Sequence, residues 1–326
     1  MVDSGGGLGN NQRMRCSTKL RLPALLALLT LLALPSLARA ADPAWNRLLD
    51  RLASDGLPRA ELAPLFDAPG MSFDPSIMAH KVDRMVRKQF DPAPPPGRKA
   101  LMQSNYAAYL KPWTLAWAGD YSRTYADAFS RAEAAYGVPR EVILALLLVE
   151  TKLGSFLGKD QAFQVLASMA ASDGLEPIRP YLKTVGSNAE RAAYADASAK
   201  DRSQWAYQEL KALILYTRAL GQSPSAVPGS IYGAIGICQF MPTNALRFGV
   251  DGNGDGRVDL FDPADAIPSI ANYLVGHGWK QGLTWDQQRT VVYAYNHSDL
   301  YSLAVMTIAD RLRQPPAAPV AARPTP

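Results

Sequence analysis

Residues 136–154 read YGVPREVILALLLVETKLG. They set one carboxylate, Glu150, into an otherwise apolar helical run. Val142, Ile143, Leu146, Leu147 and Leu153 fall at spacings of three and four, the period of a buried helix face. Pro139 stands near the start, where its missing N–H costs nothing, and Gly154 stands just past the expected end. Glu150 follows Leu146 by four and Leu147 by three, so it lies on or beside the apolar face. The helix alone leaves two readings. Glu150 is either a helix-edge glutamate paired with a lysine or arginine, or a carboxyl in apolar surroundings. The second environment raises a pKa, which is what a general acid near neutral pH requires.

Outward from this helix, three later blocks carry chemistry. The first is GSIYGAIGICQFMP, residues 229–242. Its small residues allow close approach of a ligand or another backbone. Gln239 both donates and accepts, which suits an acetamido sugar. The second is DGNGDGRVDLFD, residues 251–262. It fits a twelve-residue EF-hand register, with oxygens from Asp251, Asn253, Asp255 and Asp259, the Arg257 carbonyl at position seven, and Gly256 at the sharp turn. Hard oxygen donors at this spacing suit calcium. Asp262 replaces the usual glutamate at position twelve and has a shorter arm. Asp262-Pro263 also caps a helix expected over 264–275. No clear helix leads into the loop, so it reads as a structural staple and not a sensor. The third block is YAYNHSDLY, residues 293–301. Tyrosine offers a sugar an apolar face and a hydroxyl, and Asn296 can hold an N-acetyl group or orient a hydroxyl. The plainer reading is an Asn/Ser helix cap with core tyrosines.

The four blocks, in this order, resemble the membrane-bound lytic murein transglycosylase B family, over roughly residues 100–312 and more weakly over 45–100. The resemblance implies a mainly α fold, with a lysozyme-like catalytic domain, a helical N-terminal extension and an EF-hand-like calcium loop. It implies Glu150 as the catalytic residue, with Ser230 close to it. It implies sugar contacts from Gln239, Tyr295, Asn296 and Tyr301. In the family's chemistry one glutamate protonates the glycosidic oxygen between N-acetylmuramic acid and N-acetylglucosamine. The resulting carboxylate then deprotonates the muramyl C6 hydroxyl, which attacks C1 and leaves a 1,6-anhydro end. The resemblance makes peptidoglycan glycan strands the partner and leaves room for cell-wall synthesis or secretion-machinery partners. Two rivals remain: a hydrolytic muramidase on the same fold, and a non-catalytic peptidoglycan-binding scaffold.

Residues 1–40 read as a secretory signal peptide. Lys19 and Arg21 precede the apolar run 22–34, and Ala38-Arg39-Ala40 supplies a small-x-small cleavage site. Met14 is an alternative start. Cys16 precedes the apolar run and no cysteine follows it at the cleavage point, so a soluble periplasmic protein without a lipid anchor is expected. The leader holds five of the 34 basic residues and one of the 29 acidic ones, so the remainder is close to neutral and carries no nucleic-acid footprint. Only Cys238 remains after cleavage, which excludes an intramolecular disulfide.

The rest of the chain divides into a helical N-terminal region with a Pro-rich linker (41–98), a catalytic domain (99–313) and a disordered tail (314–326). Helices are expected over 43–53, 58–66, 75–88, 99–110, 121–136, 161–172 and 203–220. Residues 173–202 read as a polar Ala/Ser/Lys-rich segment. They lack the adjacent arginine pair with which the family can meet peptide stems. Strand signal is nearly absent, and any β structure is expected as a short hairpin near the metal loop.

Overall fold

The computed structural model describes residues 42–92 and 97–314. The expected signal peptide, most of the Pro-rich linker and the tail from 315 lie outside the described residues. The N-terminal helices are α1 (Pro43–Ser54), α2 (Arg59–Phe66) and α3 (Ser76–Phe90). Next come α4 (Arg98–Met102), a 3-10 turn (Asn105–Leu110), α5 (Pro112–Thr124), α6 (Ala126–Tyr136) and α7 (Arg140–Thr151). Then follow α8 (Ala162–Ala171), α9 (Ala189–Leu220) and α10 (Pro242–Phe248). The chain closes with α11 (Pro263–Gly276), α12 (Trp285–Tyr293) and α13 (Asp299–Arg313).

The fold is built around α7. Every residue from Val142 to Leu148 is buried. A helix apolar on all sides belongs at a core centre, not at its edge. α5, α6, α11, α13 and the 3-10 turn pack around it. Its N-terminus is fixed by Glu133, whose carboxylate accepts the Arg140 N–H at 2.8 Å and pairs with the Arg140 side chain. Its C-terminus turns sharply. Lys152 and Leu153 both hold positive φ before Gly154, and the Leu153 N–H returns to the Leu147 carbonyl at 3.0 Å. A non-glycine residue in this region costs about 1–2 kcal/mol, so the apolar packing on both sides of the turn has to hold it. The helix thus ends at Thr151, three residues before the glycine expected to stop it.

The N-terminal helices join the same core. Trp45 is buried against Phe66 and Phe73, at ring-centroid distances of 5.3 and 5.7 Å, and Phe66 meets Phe163 of α8 at 5.0 Å. α3 lies on α8 and α9.

Three expectations need correction. Residues 189–202 are the first half of α9 and not a polar connector. Asn188 caps the helix by accepting the Arg191 N–H at 2.9 Å, and Ala195, Ser198 and Ala199 bury a small-residue face. Alanine-rich sequence is strong helix former, and this outweighs its polar content. The two-stranded pairing is not at the metal loop. Strand β1 (Asp160–Gln161) pairs antiparallel with β2 (Pro228–Gly229), and Gly229 of β2 also bridges Ile235, which bridges Phe240. A short helix, α10, does lead into the metal loop. No helix among the described residues is long and apolar enough to cross a membrane.

Trp45→Ala should cost about 3–5 kcal/mol in a urea melt while leaving a single transition, because α1 shares its core with α8. A separate early transition for the N-terminal helices would count against this packing.

Candidate active site

Glu150 sits in the last turn of α7, part-buried, where the helix leaves the core. The Tyr301 hydroxyl from α13 donates a hydrogen bond to its Oε1. Tyr301 is 1% exposed. It therefore has no face to offer a sugar, and the expected substrate contact becomes a contact to Glu150. No lysine or arginine pairs with Glu150 among the described residues, which removes the helix-edge ion-pair reading. Burial pushes the carboxyl up to about 7, while the Tyr301 hydrogen bond works in the opposite direction. Water would stabilise the carboxylate, and burial limits its access.

The other groups around the carboxyl are phenols and a thiol. Burial first, and then the Glu150 charge, raise the pKa of Tyr106 and Tyr109 on the 3-10 turn. These two are three residues apart, and in a 3-10 turn such positions share one face. Neither was found by sequence reasoning, since nothing in the motif around Asn105 ties it to residue 150. Tyr106 meets Tyr301 edge-on at 6.4 Å. Cys238 is fully buried, and its thiol is pushed up to about 12 by burial. It is therefore a protonated apolar filler and no nucleophile. No carboxylate is among the groups whose charge reaches Glu150.

The Gly-rich block is clamped to the end of α7. Thr151, fully buried, donates its hydroxyl to the Ile237 carbonyl at 2.8 Å and accepts the Gly154 N–H at 2.9 Å. The block then folds back on itself. Ile235 and Phe240 exchange backbone hydrogen bonds at 2.8 and 3.0 Å, with Gly236 and Gln239 both at positive φ between them. A Cβ on Gly236 would come within 2.6 Å of Leu260, so only glycine fits. Gly158 is under a sharper constraint, since its Cβ would fall 1.9 Å from the Gly229 carbonyl oxygen. The Gln239 amide nitrogen donates to the Gly236 carbonyl at 3.0 Å, which aims the side chain and leaves its oxygen as an acceptor. Ser230 is spent locally, its Oγ accepting the Tyr232 and Ala234 N–H groups at 3.3 and 3.0 Å. Tyr295 is part-buried and stacks on Tyr301 at 6.5 Å, with its hydroxyl donating to the Cys238 carbonyl at 2.5 Å. Asn296 is exposed, and Ser298 caps α13 by accepting the Tyr301 N–H.

The metal loop joins α10 to α11. Asp251 accepts the N–H groups of Gly254, Asp255 and Gly256, and Asn253 and Asp255 each accept the N–H two residues on. Asp262 caps α11 with Oδ1 and accepts the Asn253 amide with Oδ2. The buried carboxylate beneath the loop is Asp265, which accepts the Gly252 and Asp259 N–H groups, each at 2.8 Å. Three His, Cys, Asp or Glu side chains do not converge at metal-binding distance among the described residues. The donor set is nonetheless all hard oxygen, oriented by backbone N–H groups around two positive-φ glycines, and its chemistry fits calcium.

A family model for the transglycosylase SLT domain matches residues 40–291. The chain belongs to this family. Within the transglycosylase SLT family, it is 35% identical over 158 residues to membrane-bound lytic murein transglycosylase B of Escherichia coli strain K12. That alignment covers 48% of this chain and 37% of the relative, so the chain spans little more than a third of the curated relative it matches. Lytic transglycosylase SLT35 of Escherichia coli, solved with bulgecin A, superposes with a TM-score of 0.63 at 23% identity, covering 84% of this chain and 93% of that one. The same enzyme solved with calcium gives 0.62 at the same identity and the same coverage, 84% and 93%. SltB3 of Pseudomonas aeruginosa, solved with NAG-NAM-pentapeptide, gives 0.59 at 21% identity, covering 85% and 82%. These likenesses establish the mainly α, lysozyme-like transglycosylase fold.

The raised carboxyl makes a stability prediction that is independent of activity. Between the ordinary 4.5 and about 7, folded Glu150 stays protonated while the unfolded chain has released the proton. Stability therefore falls as pH rises through that window, by about 3 kcal/mol in all. Glu150→Gln should melt higher than wild type at pH 8 and with no such gain at pH 4. Equal melting differences at both pH values would contradict the raised pKa.

Proposed function

We propose that this chain is a periplasmic lytic transglycosylase that cleaves the β-1,4 bond between N-acetylmuramic acid and N-acetylglucosamine and leaves 1,6-anhydromuramic ends. What carries the reading is a lone carboxyl whose pKa burial raises to about 7, with no second carboxylate beside it among the described residues. Hydrolytic glycosidases use two carboxylates flanking the scissile bond. A single group that gives a proton and then takes one back needs a pKa near the working pH, and Glu150 has it.

Protonated Glu150 gives its proton to the glycosidic oxygen as the C1–O bond breaks. The substrate's acetamido group stabilises the cation developing at C1. Glu150, now a carboxylate, takes the proton of the muramyl C6 hydroxyl as that oxygen bonds to C1. Water takes no part, so atoms and protons balance within one strand. Tyr301 fixes the carboxyl and stabilises its charged form for the second half of the cycle. The Gln239 oxygen accepts from the acetamido N–H, and Asn296 and the Tyr295 ring edge bound the sugar. Ser230 holds the Gly-rich turn against this cleft.

In the loop after α10, Asp251, Asn253, Asp255, Asp259 and the Arg257 carbonyl would hold a structural calcium ion. Asp262, which also caps α11, would complete the set at position twelve, and Asp265 braces the loop from below through the Gly252 and Asp259 N–H groups. A calcium ion bound there would neutralise this acidic loop and tie α11 to α10.

Mass spectrometry of digested peptidoglycan tests the reaction. Wild type should release anhydromuropeptides, and Glu150→Gln should release none while staying folded. Reducing-end products would instead mean that water attacks, and binding without products would mean a scaffold. Activity should fall above about pH 7 as Glu150 ionises. Tyr301→Phe should move that limb to higher pH, since the lost hydrogen bond favoured the carboxylate. Added calcium should raise the melting temperature over a chelated sample, by about 2.7 kcal/mol of stability at a hundredfold excess over Kd. Asp255→Ala should abolish that rise.

A further inference from the structure

Of the six tryptophans in the chain, Trp45 and Trp279 are buried, and Trp285 donates its indole N–H to Asp310 at 2.9 Å. Trp113 and Trp117 differ from these. They stand 66% and 40% exposed on α5. Four residues apart, they share one face of the helix and lie about 6 Å from each other along its axis. The other face holds α5 in place, with Ala118 buried and Leu115 and Tyr121 packed against the core. The fold is therefore anchored without the two largest apolar side chains of this helix, and leaving both in water contributes nothing to it.

The charge around these rings has one sign. No aspartate or glutamate occurs between Asp91 and Asp120, whereas Lys99 and Lys111 fall in that stretch. Both lysines are exposed, and neither makes an ion pair among the described residues. Lys111 Nζ lies over the Trp113 ring, 4.9 Å from its centroid. Asp120, the first acid along the helix, is paired with Arg123. No side chain caps the N-terminus of α5, so the positive end of its dipole lies beside Trp113. The 3-10 turn before α5 also packs on α4, which ends in Met102, 58% exposed.

We infer that this face of α5 docks on an anionic lipid bilayer, with Trp113 and Trp117 in the headgroup layer and Lys111 on the lipid phosphates. An indole has an apolar body and a polar N–H, which suits the boundary between headgroups and acyl chains. Lysine beside exposed tryptophan is the composition of a helix that lies in that boundary. A glycan fits this face less well. Lys111 covers one side of the Trp113 ring, where a sugar would stack, and a neutral sugar gains nothing from the surplus of cations. The chain beyond residue 40 is close to neutral, so the attraction belongs to this face and not to the protein as a whole. The contact uses none of the groups assigned to the reaction, and it needs neither a lipid anchor nor a spanning helix.

The test uses residues 41–326, which form a compact unit without the leader, because the apolar run 22–34 would enter a bilayer by itself. Cosedimentation is measured with vesicles of mixed phosphatidylethanolamine and phosphatidylglycerol, and with vesicles of phosphatidylcholine alone. Wild type should bind the anionic vesicles more tightly, and bromine-labelled lipid should quench its tryptophan fluorescence. The double variant Trp113→Ala, Trp117→Ala should bind them about tenfold more weakly and lose that quenching. Lys111→Gln should weaken binding to the anionic vesicles about fivefold and leave binding to phosphatidylcholine unchanged. This second variant, at an exposed position, still decides the matter if the double variant fails to fold. No vesicle binding by wild type, or equal binding by both variants, would overturn the inference. Retention on stem-free glycan that the two alanines abolish, without vesicle binding, would make the face a sugar platform and overturn it. A dimer in sedimentation that the same alanines dissociate, again without vesicle binding, would make it a self-association surface and overturn it as well.

Discussion

The structure depends on keeping one carboxyl out of water at the end of its most buried helix. Glu150 cannot be moved outward without breaking the turn at Lys152–Gly154, because that turn is what brings Thr151 under the Gly-rich block. It cannot be paired with a cation without returning its pKa to the ordinary range. Tyr301 supplies the one polar contact this arrangement tolerates, a neutral donor that orients the carboxyl without fixing its charge. Around that pair, Tyr106, Tyr109 and Tyr295 form a wall of weakly acidic groups that stay neutral at any working pH.

The surrounding architecture divides the remaining tasks. α11, anchored at its start by the Asp/Gly loop, packs against α6 and α7 and so braces the Glu150 helix. The N-terminal helices, locked on through Trp45, Phe66 and Phe163, place α3 beside the tip of the Gly-rich block. α9, about 48 Å long, runs beneath both and carries Trp205 and Arg202 to the same corner. Glu209 on this helix receives the Thr243 N–H and hydroxyl at 2.9 and 2.8 Å, which fixes the start of α10 below the metal loop.

Much of this was legible in the residues. The helix and its burial follow from a run as apolar as VILALLLVE, which left Glu150 as either an ion-paired edge residue or a raised carboxyl. The DGNGDG register likewise reads directly as a turn built from oxygen donors. What the residues hide is set by long-range contact. Tyr301 reads as a sugar platform because its burial against Glu150 is made by α13 folding across 151 positions. Tyr106 and Tyr109 carry no local mark of their distance to residue 150. The loop's buried acid is Asp265, which lies outside the twelve-residue register and accepts two backbone N–H groups of the loop. Residues 189–202 show how a composition that reads as polar connector is helix once small residues find a face to bury.

The most direct measurement is an infrared pH titration of the Glu150 carboxyl, taken as wild type minus Glu150→Gln. A protonated-carboxyl band that disappears with a midpoint of about 7 is expected. A midpoint near the ordinary 4.5 would mean that water or a cation reaches the group, and the acid-then-base role assigned to Glu150 would not stand.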